Sequence, residues 1–90
     1  MRIPLIAGNW KMNNTIDEGL SLTKSLVEFS NNFDKNREIL ICAPFTALHA
    51  LKIALKGSKI KLGAQNMHFE ESGAYTGEIS PIMLKDIGVD

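Results

Sequence analysis

The sequence predicts an α/β fold in which parallel strands alternate with helices. Three short apolar runs with strand character lie at residues 3–7, 39–43 and 60–64, and helical patterns follow each of them. The first two runs are apolar at nearly every position, which is typical of strands buried on both faces of a parallel sheet. The order is therefore β-α-β-α-β-α with right-handed crossovers, and Val89-Asp90 is expected to open a fourth strand.

The first helix is predicted from Thr15 to about Asn31. Thr15 and Glu18 have the spacing of a capping box, in which each residue satisfies a free amide at the start of the helix. Apolar residues recur every three or four positions and should form the buried face of this helix. They are Ile16, Leu20, Leu22, Leu26, Val27, Phe29 and Phe33.

The second helix is expected to begin near Pro44 or Phe45 and to end at Gly57, a residue that commonly stops helices. Its apolar face is predicted to carry Leu48, Leu51 and Leu55.

The third helix has the clearest boundaries, because Ser80 is a good cap, Pro81 suits the first helical position and Gly88 terminates the pattern. Its apolar face is predicted to carry Met83, Leu84 and Ile87. The loop before it, from Asn66 to Ile79, is much longer than the roughly 2–6 residues of ordinary strand-to-helix loops. A loop of this length usually has a function.

Composition excludes several classes of partner and location. The 90 residues suit one domain at most, and 10 basic against 10 acidic side chains leave no charge to attract nucleic acid or anionic lipid. No stretch approaches the roughly 18 apolar residues that would span a membrane. Cys42 is the only cysteine and has apolar neighbours, so we expect a buried thiol and a reducing, cytoplasmic location.

Known cofactor motifs are missing from the sequence. Neither a dinucleotide-binding Gly-x-Gly-x-x-Gly nor a P-loop follows the first strand. His49 and His68 have no partner at zinc-binding spacing, and Glu70 and Glu71 have the pattern of solvated loop residues. We therefore expect no cofactor and no metal site.

The segment after the first strand, Gly8 to Asn13, is the main candidate for chemistry, because ligands of α/β folds bind beyond the carboxyl ends of strands. If the backbone remains extended, Asn9 and Lys11 point to the same side. An amide and a cation aimed together suit an anionic, oxygen-rich ligand. The residues alone leave open the alternative that Lys11 is a solvated surface lysine and Asn9 a turn residue.

Four segments together resemble one enzyme family. The stretch Gly8-Asn9-Trp10-Lys11-Met12-Asn13 is similar to the first-strand signature of the triosephosphate isomerase family. The other three segments, which resemble later strand ends and the protruding third loop of that family, are residues 43–48, 63–66 and 73–80. The resemblance implies that this chain is the N-terminal βαβαβα portion of a (β/α)8 barrel of about 250 residues, with outer helices.

The resemblance also implies roles for individual residues. Lys11 would be catalytic, supplying positive charge to a phosphorylated sugar and its enediolate, and Asn9 would help to bind that substrate. Enzymes of this family are homodimers in which the third loop enters a pocket of the twin subunit. Thr76 would support the residues of the twin that correspond to Asn9 and Lys11. The positions implied at this interface are Met12, Gln65, Tyr75, Thr76 and Gly77.

The family's other two catalytic groups, a histidine after strand four and a glutamate after strand six, have no counterpart among these 90 residues. The chain alone is therefore expected to lack isomerase activity. It is also expected to self-associate, because Ile6, Ile41 and Leu62 would lie on an uncovered inner face. Two alternatives to an enzyme are a non-catalytic module that keeps the barrel's N-terminal sequence and a flavodoxin-like binding domain, although the latter would need a phosphate loop after the first strand.

Overall fold

The computed structural model describes residues 2–32 and 36–90. Strands and helices alternate as the sequence predicts: β1 (Leu5–Asn9), α1 (Ile16–Ser30), β2 (Glu38–Ala43), α2 (Phe45–Ala54), β3 (Lys61–Ala64) and α3 (Pro81–Ile87). The strands form one sheet in the order β1-β2-β3, and both neighbouring pairs are parallel. The predicted α/β class is thus confirmed.

The helix starts that were predicted from capping residues are also confirmed. The Thr15 hydroxyl accepts from the Glu18 amide, and the Glu18 carboxylate accepts from the Thr15 amide at 2.9 Å, so the capping box is complete. These bonds, the backbone amide first, lower the pKa of Glu18 below its ordinary value. Ser80 caps α3, and Gly88 ends it with a left-handed φ of 96°.

The largest differences from the predicted boundaries are at β1 and at the end of α2. Strand β1 begins at Leu5 instead of Ile3 and continues through Gly8 and Asn9, which pair with Ile41 and Cys42. Helix α2 ends at Ala54, before the predicted stop at Gly57. The β1 shift arises because parallel pairing with β2, and not the apolar run, sets the limits of the strand.

The core lies between α2 and one face of the sheet. Ile41 and Leu62 are cross-strand neighbours on that face, each only 1% exposed. The expectation that they line an uncovered inner face is wrong, because α2 covers this face, and the apolar residues on both faces of β2 do not show which face a helix covers. Ile6 shares their face by register but is 49% exposed. The buried apolar cluster is Ile41, Ala43, Ala47, Leu48, Leu51, Leu55, Ile60, Leu62 and Leu84.

The buried face of α1 also differs from the predicted stripe. Its buried residues are Gly19, Thr23 and Ser30, whereas Leu22 is 40% and Phe29 56% exposed. Small side chains at helical spacing let α1 approach α2 closely, and this contact decides which face is covered. Leu20, Leu26 and Val27 pack at the margin of the core, and the predicted Phe33 lies outside the described residues.

Strand β1 is exposed along its whole length, which contradicts the expectation that it is buried on both faces. It lies at the edge of the sheet and has a neighbouring strand on one side only. Cys42 is half-buried instead of fully buried, because it points to the opposite face from the core, beside Gly63.

The last residues contact β3. The Asp90 amide donates to the Leu62 carbonyl at 2.8 Å, and the Asp90 carboxylate accepts from the Leu62 amide at 2.9 Å. Within the described residues, no strand is assigned at Val89-Asp90. Asp90 thus forms hydrogen bonds with both the backbone amide and the backbone carbonyl of Leu62, on the side of β3 that faces away from β2.

Candidate active site at the carboxyl end of the sheet

The loop after β1 begins as a continuation of the strand and then turns sharply. The Trp10 amide donates to the Cys42 carbonyl at 3.0 Å, which extends the pairing with β2 by one residue. Lys11 then has a left-handed φ of 55°, and its amide donates to the Asn9 side-chain oxygen at 2.9 Å. The expectation of an extended backbone here is wrong, because the Lys11 amide hydrogen-bonds to the Asn9 carboxamide and this bond bends the chain.

Trp10 anchors this loop on the core. Its ring lies over Gly19, where an added Cβ would be only 3.0 Å from the ring atom Cζ3. Asn13 donates from its side chain to the Trp10 carbonyl at 2.9 Å. Asn14 has a left-handed φ of 76°, a conformation that asparagine tolerates better than most residues. The loop therefore has a defined shape before α1 begins.

Gln65 joins this loop from the end of β3. Its Nε2 donates to the Lys11 carbonyl at 2.9 Å, to the Cys42 carbonyl at 3.1 Å and to Asn9 Oδ1 at 3.4 Å. The sequence placed Gln65 only among interface candidates. The missed signal was its position: Gln65 follows Gly63 by two and so lies on the face of the sheet opposite the core, where parallel strand ends meet.

The resulting arrangement presents a donor and a cation. Asn9 Oδ1 accepts two hydrogen bonds, so the amide nitrogen of Asn9 is turned away from Lys11 and Gln65. Lys11 is exposed, and no carboxylate in the described part of the chain pairs with its ammonium. The turn places the Asn9 side chain against the Lys11 backbone, and the free amide nitrogen of Asn9 and the ammonium of Lys11 are groups that suit an anionic oxygen ligand.

The long loop from Asn66 to Ile79 is internally organised. The His68 amide donates to the Ile79 carbonyl at 2.8 Å, which closes the base of the loop. The His68 ring lies 4.3 Å from that of Tyr75 and 4.6 Å from that of Phe69. Gly73 lies against the Tyr75 ring, where an added Cβ would be only 2.8 Å away. These contacts give the loop a folded base, and its tip, Tyr75 to Gly77, is exposed.

The other candidate interface residues lie at the surface. Met12 is 96% exposed in the loop after β1, and Tyr75 is 48% exposed in the long loop. Thr76 and Gly77 are exposed beside it, and Gly77 has a left-handed φ of 88°. Across residues 2–32 and 36–90, no hydrogen bond joins the tip of the long loop to Asn9 or Lys11.

The same residues contain neither a candidate metal site nor a candidate membrane span. No group of three His, Cys, Asp or Glu side chains in the described ranges is placed to hold a metal ion. None of the described helices has both the length and the hydropathy to cross a bilayer.

Comparisons with known proteins fit this geometry. The chain is a parallel α/β protein with polar groups at the carboxyl ends of its strands, and its fold matches the N-terminal part of a (β/α)8 barrel. The family model described as triosephosphate isomerase matches residues 4–90, so the chain belongs to that family.

Individual relatives agree. The triosephosphate isomerase of Alkaliphilus metalliredigens is 56% identical over 90 residues, covering 100% of this chain and 36% of the relative. The triosephosphate isomerase of Clostridium novyi is 54% identical over 89 residues, covering 99% of this chain and 35% of the relative. The crystal structure of triosephosphate isomerase from Bartonella henselae superposes with a TM-score of 0.88 at 43% identity. The match covers 98% of this chain and 35% of that one. The chain thus spans about a third of the length of these relatives.

Proposed function

We propose that the protein carrying this chain is a triose-phosphate isomerase. It would interconvert glyceraldehyde 3-phosphate and dihydroxyacetone phosphate by moving a proton between adjacent carbons through an enediolate. Family membership over residues 4–90 supports this proposal. The observation that carries it is the joint placement of Asn9 and Lys11 at the carboxyl end of the sheet.

In this proposal Lys11 stabilises negative charge. The substrate is anionic through its phosphate, and deprotonation places further negative charge on oxygen in the enediolate. A cation held in place beforehand stabilises that charge without reorganising during the reaction, which is commonly a large catalytic contribution. Asn9 would donate from its free amide nitrogen to a substrate oxygen. The proton-transfer groups would come from parts of the barrel beyond these 90 residues.

The test is isomerase activity of the protein in which this chain is followed by the rest of the barrel. Lys11→Ala should lower kcat/KM by about 100-fold or more, the scale seen when a group that stabilises transition-state charge is removed. Lys24→Ala removes an exposed lysine of α1 and should leave kcat/KM unchanged. Equal activity of the two variants would remove Lys11 from the mechanism, and an inactive parent protein would refute the proposed function.

The 90-residue chain alone is proposed to have no isomerase activity, because Lys11 and Asn9 can bind an anion but cannot move a proton between carbons. Measurable turnover by the purified chain, abolished by Lys11→Ala, would contradict this.

The same protein is proposed to be a homodimer. The tip of the long loop, Tyr75 to Gly77, would enter a pocket of the partner lined by Met12, and Gln65 would lie near this contact. Exposure of the apolar Met12 and Tyr75 supports the proposal. Tyr75→Asp should weaken the dimer, visible by sedimentation as a shift towards monomer on dilution, whereas His49→Asp, at an exposed position of α2, should not. A dimer unaffected by Tyr75→Asp would argue against this interface.

Residues 1–90 are proposed to be one part of a single barrel domain, with Asp90 opening the fourth strand beside β3. The hydrogen bond from the Asp90 amide to the Leu62 carbonyl supports this arrangement. A cytoplasmic location is proposed because Cys42 is the only cysteine among these 90 residues, which leaves no disulfide within them.

A further inference from the structure

Lys11 has a backbone conformation that a lysine does not adopt without support. A left-handed φ of 55° is unfavourable for a residue with a Cβ relative to ordinary conformations. Two hydrogen bonds offset that cost: the Lys11 amide donates to Asn9 Oδ1, and the Lys11 carbonyl accepts from Gln65 Nε2, both at 2.9 Å. Gln65 provides the only side-chain donor to the Lys11 carbonyl within the described ranges.

The contacts of Gln65 also define the orientation of both carboxamides. All three atoms near Gln65 Nε2 are oxygens, so only an NH2 group can face them, and its two hydrogens are shared among three acceptors. Asn9 Oδ1 must then face inward to accept from Gln65 and Lys11. The amide nitrogen of Asn9 is left pointing away from both, as a donor for a ligand.

The support for Gln65 is rigid. It directly follows Ala64, the last residue of β3, which pairs with Ala43 of the central strand. The acceptor on Cys42 belongs to that same central strand and also holds the Trp10 amide. One side chain thus connects the ends of all three strands and the loop that carries the cation.

We propose that Gln65 is a positioning residue that sets the conformation of Lys11 and the orientation of Asn9 for an anionic triose substrate. This inference rests on the proposed function for its kinetic readout. It differs from an interface role because it acts within one subunit, through the Lys11 carbonyl and Asn9 Oδ1.

A double-mutant cycle in the full-length protein tests the proposal. Gln65→Met keeps the length of the side chain and removes its donors, and we expect kcat/KM to fall about tenfold, with kcat falling more than KM rises. In the Lys11→Ala background the same change should lower kcat/KM by only about twofold, because the Lys11 ammonium is already gone and only the orientation of Asn9 remains to be lost. Asn32→Met, an exposed carboxamide in the turn after α1, is the matched control and should cost nothing in either background. Equal losses in both backgrounds, or no loss in either, would overturn the proposal.

A second measurement does not depend on activity. Amide hydrogen exchange at Lys11 should accelerate about tenfold in Gln65→Met, while exchange in β2 remains unchanged. If the parent protein lacks isomerase activity but this acceleration is seen, the proposed function fails and the positioning role stands. Unchanged exchange at Lys11 refutes the role even in an active enzyme. If Gln65→Met does not fold, Gln65→Asn, which keeps the donors one methylene short, should give a smaller effect of the same sign, and its absence would count equally against the proposal.

Discussion

Helices α1 and α2 pack against each other, yet different interactions hold them in the fold. Helix α2 buries Leu48 and Leu51 completely, together with Ala47, and covers the sheet. Helix α1 buries only Gly19, Thr23 and Ser30, which carry little apolar surface. Apolar burial stabilises by roughly 25 cal/mol per Å². We infer that packing contributes more to the stability of α2 than to that of α1, whose Leu20, Leu26 and Val27 are only partly buried.

The local bonds of α1 are visible at both ends. Its start has the capping box of Thr15 and Glu18, and at its end the Ser30 hydroxyl donates to the Val27 carbonyl at 2.8 Å. Strand β1, which precedes α1, is likewise held by hydrogen bonds to β2 and by Trp10 instead of burial. The catalytic candidates Asn9 and Lys11 therefore lie next to elements that bury little apolar surface. Gln65 adds hydrogen bonds at this point.

The largest expected effect is at the packing of α2. Leu51→Ala should lower the free energy of unfolding by about 2–5 kcal/mol, because Leu51 is fully buried and its truncation leaves a cavity. Ile53→Ala, on the same helix but 65% exposed, should cost under about 1 kcal/mol. Urea unfolding of both variants of the full-length protein measures the difference. Similar losses would mean that α2 is not the packed helix.

A smaller gain is expected at the contact between the helices. Thr23 is fully buried, and its hydroxyl has no hydrogen-bond partner among the described residues. Thr23→Val keeps the shape and removes the unpaired group, so it should raise the free energy of unfolding by about 1 kcal/mol. Thr46→Val, at an exposed position of α2, is the control and should change the free energy of unfolding by less than about 0.5 kcal/mol. A lower free energy of unfolding in Thr23→Val would show that the Thr23 hydroxyl has a hydrogen-bond partner in solution.

The smallest expected effect concerns the capping box of α1. Because hydrogen bonds from Thr15 lower the pKa of Glu18 in the folded state, the ionised carboxylate stabilises folding above the ordinary carboxyl pKa. This contribution is lost as the pH falls through the lowered folded pKa. Glu18→Gln keeps a capping side chain without the charge, so its stability deficit should disappear at low pH. Urea unfolding across this range tests it, and a deficit independent of pH would contradict the assignment.

The sequence predicted the order of elements and the helix starts well because these depend on local chemistry. Thr15, Ser80 and Gly88 act within one turn of the chain, and the structure has all three as predicted. The covered face was predicted poorly because it depends on contacts distant in sequence. Ile41 is apolar on a strand whose other face is also apolar, and only the position of α2 shows that it is buried.

The site was predicted in the same uneven way. Asn9 and Lys11 were found because they follow a strand directly, but the turn at Lys11 depends on a bond that the spacing does not reveal. Gln65 is 54 residues from Lys11 along the chain, so their contact requires the register of all three strands.

The contact between Asp90 and Leu62 gives the two edges of the sheet unequal capacity for aggregation. A second copy adding a strand at the start of β3 would have to displace a bound carboxylate and a bound amide. Strand β1 has no such obstacle on its outer side within the described residues, and its Leu5 and Ile6 are half exposed. Growth of strand-paired assemblies from this chain would therefore be directional, with β1 as the edge that recruits the next copy.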